Sequence, residues 1–274
     1  MIHLCLLINK RWKIRSRMFP KAWKNFCNNL QTYWIQVRNC PIDTRNIDNQ
    51  CFEWEDWHVT PDLIWTRAPH KVTWVISKIH SKKFVEVCRD KRKTYQTLLP
   101  YHPITYLWSE YFSLTHSKKY VVKPRYWQRK QWVTILKWWL VMSNDNYLTD
   151  QWIVQEYKST RYQRKPHHDI RCLFYGMNYI WAIIRRWRLW EKRQKELIDL
   201  DHEIIWRVTR RAKKLLLATE TKHAIFTIDI GIERKTWRPF VIECTSAPWI
   251  PSLLMIDPES RKIAEYIRNI LPNS

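Results

Sequence analysis

The chain has 274 residues, is 45% hydrophobic and 15% aromatic, and carries 48 Lys and Arg against 25 Asp and Glu, a formal net charge of +23. That length and apolar content exclude a disordered tail and suffice for a substantial core. No apolar run approaches the ~18–20 residues that span a bilayer, so a membrane span is excluded and a cytoplasmic protein is expected.

In chain order, "IHLCLLIN" (2–9) predicts a short apolar strand, "FPKAWKNFCNNLQTY" (19–33) a helix, and "IQVRNCP" (35–41) a second strand. "PDLIWTRAP" (61–69) is a further strand candidate. Strands alternating with helix imply a small parallel-sheet unit over residues 1–80. "SKKFVEVCRDKRKTYQTLL" (81–99) predicts one basic helix with Phe84, Val85, Cys88, Tyr95 and Leu98 as its apolar face, and the proline-punctuated "PYHPITYLW" (100–108) a linker. From Tyr120 strand signals become dense: "YVVKPR", "WVTIL", "WIVQEY", "DIRCLFY" and "YIWAII". Their short spacing fits antiparallel pairing better than strand–helix–strand crossovers. "LIDLDHEIIWRVTRRAKKLLLAT" (197–219) predicts a long helix, "AIFTIDIGI" and "PFVIECTSA" a hairpin, and "PESRKIAEYIRNIL" (258–271) a closing helix.

The 7 cysteines are odd in number and scattered, with no C-x-x-C pair. Cys5, Cys172 and Cys244 lie inside apolar runs and are expected as buried, reduced thiols. The adjacent His167 and His168 are read as solvated rather than metal-bound. The basic residues are dispersed along the chain. Nucleic acid therefore stays open as a partner on charge and on the many aromatics available for stacking, but is not favoured.

Glycine and tryptophan are abnormal together. At ordinary usage a chain of this length would hold about 19 glycines; this one holds 2, beside 19 tryptophans. Trp34 sits where a helix C-terminal glycine belongs, Trp237 in a hairpin turn, and Trp249 directly after Pro248. Trp127 and Trp132 interrupt a strand–loop–strand segment, "YVVKPRYWQRKQWVTI", whose form is that of a phosphate-gripping loop. Such a loop needs glycine so that backbone N–H groups reach the phosphate. We expect many of these tryptophans to stand for glycine, as in a gene whose UGA codons are read as glycine but rendered as tryptophan. Trp54, Trp57 and Trp65 lie in contexts that suit a real indole.

The chemically loaded residues run in the order Asp90–Lys91, Lys123, Gln155–Glu156, Asp169–Arg171, Arg186, Asp229, Glu243. Asp229 and Glu243 fall on the two strands of the expected hairpin, where paired carboxylates suit an oxygen-preferring cation. Lys123 and Arg171 supply positive charge for phosphate oxygens. A lysine on phosphate, a small-residue loop and two metal-holding carboxylates describe an ATP site.

This order, "DK", "VVKPR" with its loop, "IVQEY", "DIR", an arginine, then D and E-x-x-x-x-P, resembles the ATP-grasp superfamily. The similar branch contains ribosomal-protein glutamate ligases, glutathione synthetases and spore-coat-associated ATP-grasp proteins. The resemblance covers about Ser81 to Ser252. It implies an α/β (α+β) fold, an ATP-grasp domain over 81–274 with lobes near 81–155 and 156–274, preceded by a small parallel-sheet domain over 1–80. It also implies an ATP- and Mg2+-dependent ligase joining a small-molecule or peptide carboxylate to an amine acceptor through an acyl-phosphate.

Carried over by position, Lys123 would contact the ATP phosphates and Lys91 would enter the nucleotide site. The loop with Trp127 and Trp132 would close over it. Gln155, Glu156 and Tyr157 would form the adenine-side hinge, with backbone groups reading the base edge. Arg171 and Arg186 would stabilise the transferred phosphoryl group, and Asp229, Glu243 and Thr245 would hold metal. The chain departs from the pattern at Thr245, where the family has asparagine, at Lys130, a usual loop glycine, and after Arg186, where a substrate-holding segment is missing. These departures leave a nucleotide-binding pseudoenzyme with a structural role as the alternative.

Overall fold

The computed structural model describes residues 1–9, 20–42, 62–66, 77–107, 110, 119–126, 134–137, 151–163, 165–166, 169–188, 191–246, 248 and 250–271. The loop tryptophans Trp127 and Trp132, together with Trp249, Trp54, Trp57, Lys130, His167 and His168, lie outside the described residues.

The first strands are β1 (Ile2–Asn9), β2 (Ile35–Ile42), β3 (Leu63–Thr66) and β4 (Ser77–Ile79), with α1 (Pro20–Thr32) between β1 and β2. They form a parallel sheet in the order β2-β1-β3-β4, as the strand–helix alternation predicts. Leu4 and Leu6 of β1 and Phe26 and Leu30 of α1 are fully buried in one apolar cluster with Trp65, so position 65 is a true core site for an indole.

The predicted single basic helix is two: α2 (Lys82–Arg89) and α3 (Lys91–Thr97), broken at Asp90. The Asp90 carboxylate caps α3 by accepting from the backbone N–H groups of Arg92 and Lys93, an alternative partner that a helix-interior periodicity does not register. The predicted linker is also more ordered than expected, because it contains β5 (Thr105–Leu107).

Next come β6 (Lys119–Pro124), β7 (Thr134–Lys137) and β8 (Trp152–Glu156), which join β5 in an antiparallel sheet of order β5-β8-β6-β7. A two-stranded ribbon, β9 (Arg161–Tyr162) with β10 (Lys165–Pro166), follows. The largest sheet is antiparallel and ordered β13-β12-β11-β14-β15. Its strands are β11 (Asp169–Tyr175), β12 (Asn178–Arg188), β13 (Glu191–Ile198), β14 (Ile225–Ile232) and β15 (Pro239–Thr245). The helix expected from Leu197 begins at His202 as α4 (His202–Ala218), because Leu197 and Ile198 extend β13 instead. The chain closes with α5 (Ile250–Ile256) and α6 (Arg261–Ile270).

The two faces of the large sheet have different fates. Ile170, Cys172, Phe174, Ala182, Ile184, Phe226, Ile228 and Ile230 point one way and pack against Val208, Ala212 and Leu215 of α4. On the opposite face, Leu173, Tyr175 and Ile225 join the first sheet, α1, α5 and α6 in the other large cluster. The same face also carries Asp169, Arg171, Arg185 and Asp229, which belong to the site described below.

Two backbone angles bear on the tryptophan anomaly. Trp34 and Trp237 have φ of 62° and 58°. A bulky residue is strongly disfavoured there and glycine is not. Both are the positions read as glycine sites, and both indoles are more than half exposed, at 67% and 53%. Cys5, Cys172 and Cys244 are buried, as expected.

Candidate active site

Arg171, Asp229 and Glu243 form one row across three neighbouring strands: Asp229 is in register with Arg171 of β11 on one side and with Glu243 of β15 on the other. β14 is buried along its whole length, so a carboxylate at 229 needs a partner. Arg171 supplies it bidentately, Nε to Oδ1 at 2.8 Å and Nη2 to Oδ2 at 2.7 Å. Arg185 adds a second guanidinium, Nη2 to Asp229 Oδ2 at 2.5 Å, while its Nε binds Asp169. Burial works to raise the Asp229 carboxyl, but Arg171 and Arg185 overcome it and hold the group well below the usual carboxylate range. Asp169 goes the other way: burial and the neighbouring Asp229 charge raise it, with Arg185 opposing.

Two β-bulges make this row. Between Leu173 and Phe174 of β11 the register with β12 shifts, from Phe174 opposite Tyr179 to Leu173 opposite Trp181. Simple alternation from the turn would have brought Arg186 to the site face; the extra residue brings Arg185 instead. Arg186, expected with Arg171 on the phosphoryl group, has its Nε 3.7 Å from Glu196, and it is Arg185 that the structure brings to the Arg171–Asp229 pair. In the β14–β15 pair the register shifts after Asp229, from Ile230 opposite Val241 to Asp229 opposite Glu243, which skips Ile242 and sets the two carboxylates face to face.

The second group comes from the other antiparallel sheet. Lys123, only 5% exposed, donates to Gln155 Oε1 at 2.8 Å. Gln155 Nε2 donates to Thr105 Oγ1 at 2.9 Å and meets His102 Nδ1 at 2.9 Å. Lys91 Nζ donates to the Pro124 carbonyl at 3.0 Å. Asp90 anchors the arrangement by pairing with Arg125 through bonds of 2.9 and 2.7 Å, so the acid of the "DK" pair ties the start of α3 to the residue that follows β6.

Burial, then the neighbouring Lys91 charge, bring Lys123 down to about 7, with Glu243 opposing. Lys91 is also lowered by burial, again against Glu243. Glu243 acts on Arg171 as well, so it stands electrostatically between the lysines and the arginine–carboxylate row. Burial and the Lys123 charge take His102 down to about 3, which keeps it neutral.

The residues of the expected hinge make the following contacts. Gln155 is a side-chain anchor for Lys123. The backbone N–H of Glu156 donates to the Ile104 carbonyl and that of Tyr157 to the Lys119 carbonyl, both at 2.9 Å. Those two donors are therefore committed within the fold rather than presented to a base edge. Thr245 is buried and lies in register with Thr227 of β14, adjoining the row.

Hard oxygen donors at Asp229, Glu243 and Thr245 suit Mg2+ shared with a nucleotide's phosphates, an ion that typically takes only one or two carboxylates from the protein. Among the described residues no group of three His, Cys, Asp or Glu forms a metal cage by itself. Sequence reasoning missed Arg185, His102 and Thr105. An arginine doublet can be resolved only by register, and the other two lie in a segment that reads as linker.

No family model matches the sequence, and no curated protein does. Solved structures do match. The D-cycloserine synthetase DcsG aligns with a TM-score of 0.70 at 14% identity, covering 98% of this chain and 100% of its own. The chain has the ATP-grasp fold. A D-alanine–D-alanine ligase from Bacillus anthracis, complexed with ATP, shares the ATP-grasp architecture with a TM-score of 0.62 at 16% identity, covering 97% of this chain and 99% of its own. The ATP-grasp ligase PsnB, complexed with a phosphomimetic variant of its minimal precursor, Mg and ADP, gives 0.65 at 10% identity, covering 99% of each chain. At such identities the likeness defines the fold, and the chemistry rests on the residues above. Among the described residues no helix is long and apolar enough to cross a membrane.

Proposed function

We propose that this chain is an ATP-dependent ligase joining a carboxylate to an amine, with residues 1–80 as a preceding domain and 81–274 as the ATP-grasp unit. The observation that carries the reading is the pairing, within an ATP-grasp fold, of a buried Lys123–Gln155 contact with Lys91 beside it and the Arg171–Asp229–Glu243 row of the large sheet. In the reaction a carboxylate oxygen of the substrate attacks the γ-phosphorus of ATP, the bond to the β,γ-bridging oxygen breaks, and ADP leaves. The amine nitrogen then attacks the acyl carbon, phosphate departs with the bonding pair, and the nitrogen loses a proton.

Lys91 and Lys123 neutralise phosphate oxygens in a site sheltered from water, where their charge counts most. Arg171 and Arg185, whose Nε and Nη2 donors are engaged by Asp229 and Asp169, add fixed positive charge beside the transferred phosphoryl group. Asp229 and Glu243, with Thr245, would hold Mg2+, which when bound neutralises phosphate charge. The test is ADP release with ATP and candidate amino-acid or peptide carboxylates plus amine. Substrate-dependent ADP formation that disappears in Lys123→Gln supports the reading. Tight ATP binding with no turnover for any carboxylate would refute it.

One observation favours a second reading. Both oxygens of Asp229 are occupied by arginines, as a structural ion-pair network would have them. A nucleotide-binding protein without turnover would bind ATP with unchanged affinity after Thr245→Asn, whereas the ligase gains activity from the added amide ligand.

A further inference from the structure

His102, whose ring meets Gln155 in the site above, also lines a second cleft of about 440 Å3 between α4, the β14–β15 turn and the segment 100–103. None of Lys91, Lys123, Arg171 or Asp229 lines it. Its walls carry Lys158, Arg207, Arg210, Arg211 and Arg238 against one carboxylate, Glu233. That carboxylate is already engaged, by Lys158 at 3.2 Å and by the Thr236 hydroxyl at 2.7 Å. Arg207 is paired outward with Glu203 at 2.6 Å. The positive charge of Arg210, Arg211 and Arg238 is thus left facing the cleft with little to balance it.

Arg211 is the telling group. It is only 3% exposed. Its Nη2 donates to the Pro239 carbonyl at 2.7 Å, and its guanidinium lies 4.8 Å over the Tyr101 ring. Its Nε and Nη1 are buried with no acceptor among the described residues. A desolvated cation with unused donors on two nitrogens is costly, and because Nε and Nη1 lie on different edges of the guanidinium, an anion with several oxygens is the acceptor that suits them. The cleft also offers flat apolar surface, with Arg210 stacked 4.8 Å over Trp206. Its volume falls in the range of small-molecule sites, roughly 300–1,000 Å3.

We propose that this cleft binds a small organic polyanion, an organic phosphate or a polycarboxylate, whose oxygens complete the hydrogen bonding of Arg211 and whose carbon part lies against Trp206 and Tyr101. The site is separate from the nucleotide reading and does not depend on it.

The test is calorimetric titration of the full chain with pyrophosphate and with citrate at constant ionic strength, sodium chloride serving as the control. Arg211 is a core residue whose loss would endanger folding, so the diagnostic variant is R210E/R238E, two exposed positions. The expected result is saturable binding of at least one probe, retained in Lys123→Gln and weakened by about tenfold or more in R210E/R238E, whose melting temperature without probe stays at the wild-type value. Tighter pyrophosphate binding assigns an organic phosphate and tighter citrate binding a polycarboxylate. Binding that vanishes in Lys123→Gln, survives in R210E/R238E, or never exceeds the chloride control overturns the proposal. Loss of ligase activity in any assay leaves these outcomes untouched, so the two readings fail separately.

Discussion

Replacing Trp34 and Trp237 by glycine should stabilise the protein. Both residues hold a left-handed backbone, at φ of 62° and 58°. That conformation costs an L-residue with a side chain ~1–2 kcal/mol. Glycine removes the strain but widens the unfolded ensemble, at a cost of ~0.5–1 kcal/mol. The indoles return little, being 67% and 53% exposed. The balance is a gain of about 0.5–1 kcal/mol per site, which adds in the double variant because one site ends α1 and the other lies in the β14–β15 turn. For a chain of this size that is a rise of about 1–2 °C in melting temperature per site and about 2–4 °C in the double variant. Trp65 is the control: it is fully buried, so Trp65→Gly should cost about 4 kcal/mol or more. Denaturant unfolding of W34G, W237G, the double variant and W65G measures all four. If W34G and W237G lose stability as W65G does, the reasoning that these two indoles stand at glycine positions fails.

Three further outcomes follow from the site. Lys123 sits at about 7 in the folded chain against ~10.5 unfolded, so between those values the unfolded chain binds more protons and this group makes stability rise with pH. Urea midpoints from pH 6 to 10 should show that rise, and Lys123→Gln should flatten it. Asp229→Asn leaves Arg171 and Arg185 buried without their carboxylate and should cost about 3–5 kcal/mol by chemical denaturation. In the wild type the Asp229 carboxyl is held below its usual range. Its contribution is therefore fully present above the normal carboxylate pKa and is lost as pH falls toward the folded value, a loss that Asp229→Asn should abolish in acid titrations. Arg185→Ala should lower stability by about 2 kcal/mol or more and weaken ATP binding, while Arg186→Ala, whose carboxylate partner Glu196 is half exposed, should change stability by less than about 1 kcal/mol.

Much of this protein was determined locally. Periodicity alone marks β1, α1, the β14–β15 hairpin and α6, because each buries one face whose spacing shows along the chain. The positive-φ turns at 34 and 237 are also legible, since a helix end and a tight hairpin impose their backbone wherever they occur. The ordered set of Lys91, Lys123, Gln155, Arg171, Asp229 and Glu243 is likewise legible, and it is what the expectation of a nucleotide site rests on.

Tertiary structure decided the rest. Asp90 breaks a helix that its neighbours would continue, because it gains two N–H donors and Arg125 across the fold. The segment after Leu99 becomes β5 only because β8 is there to pair with it. Which arginine of the 185–186 doublet faces Asp229 turns on one bulge, and a single extra residue inverts every side chain beyond it. The partners of Arg211 and Lys123 lie about 28 and 32 residues away along the chain, and only packing brings them into reach. Side-chain type is written in the sequence; which side chains share a desolvated space is set by register and by the contact between sheets.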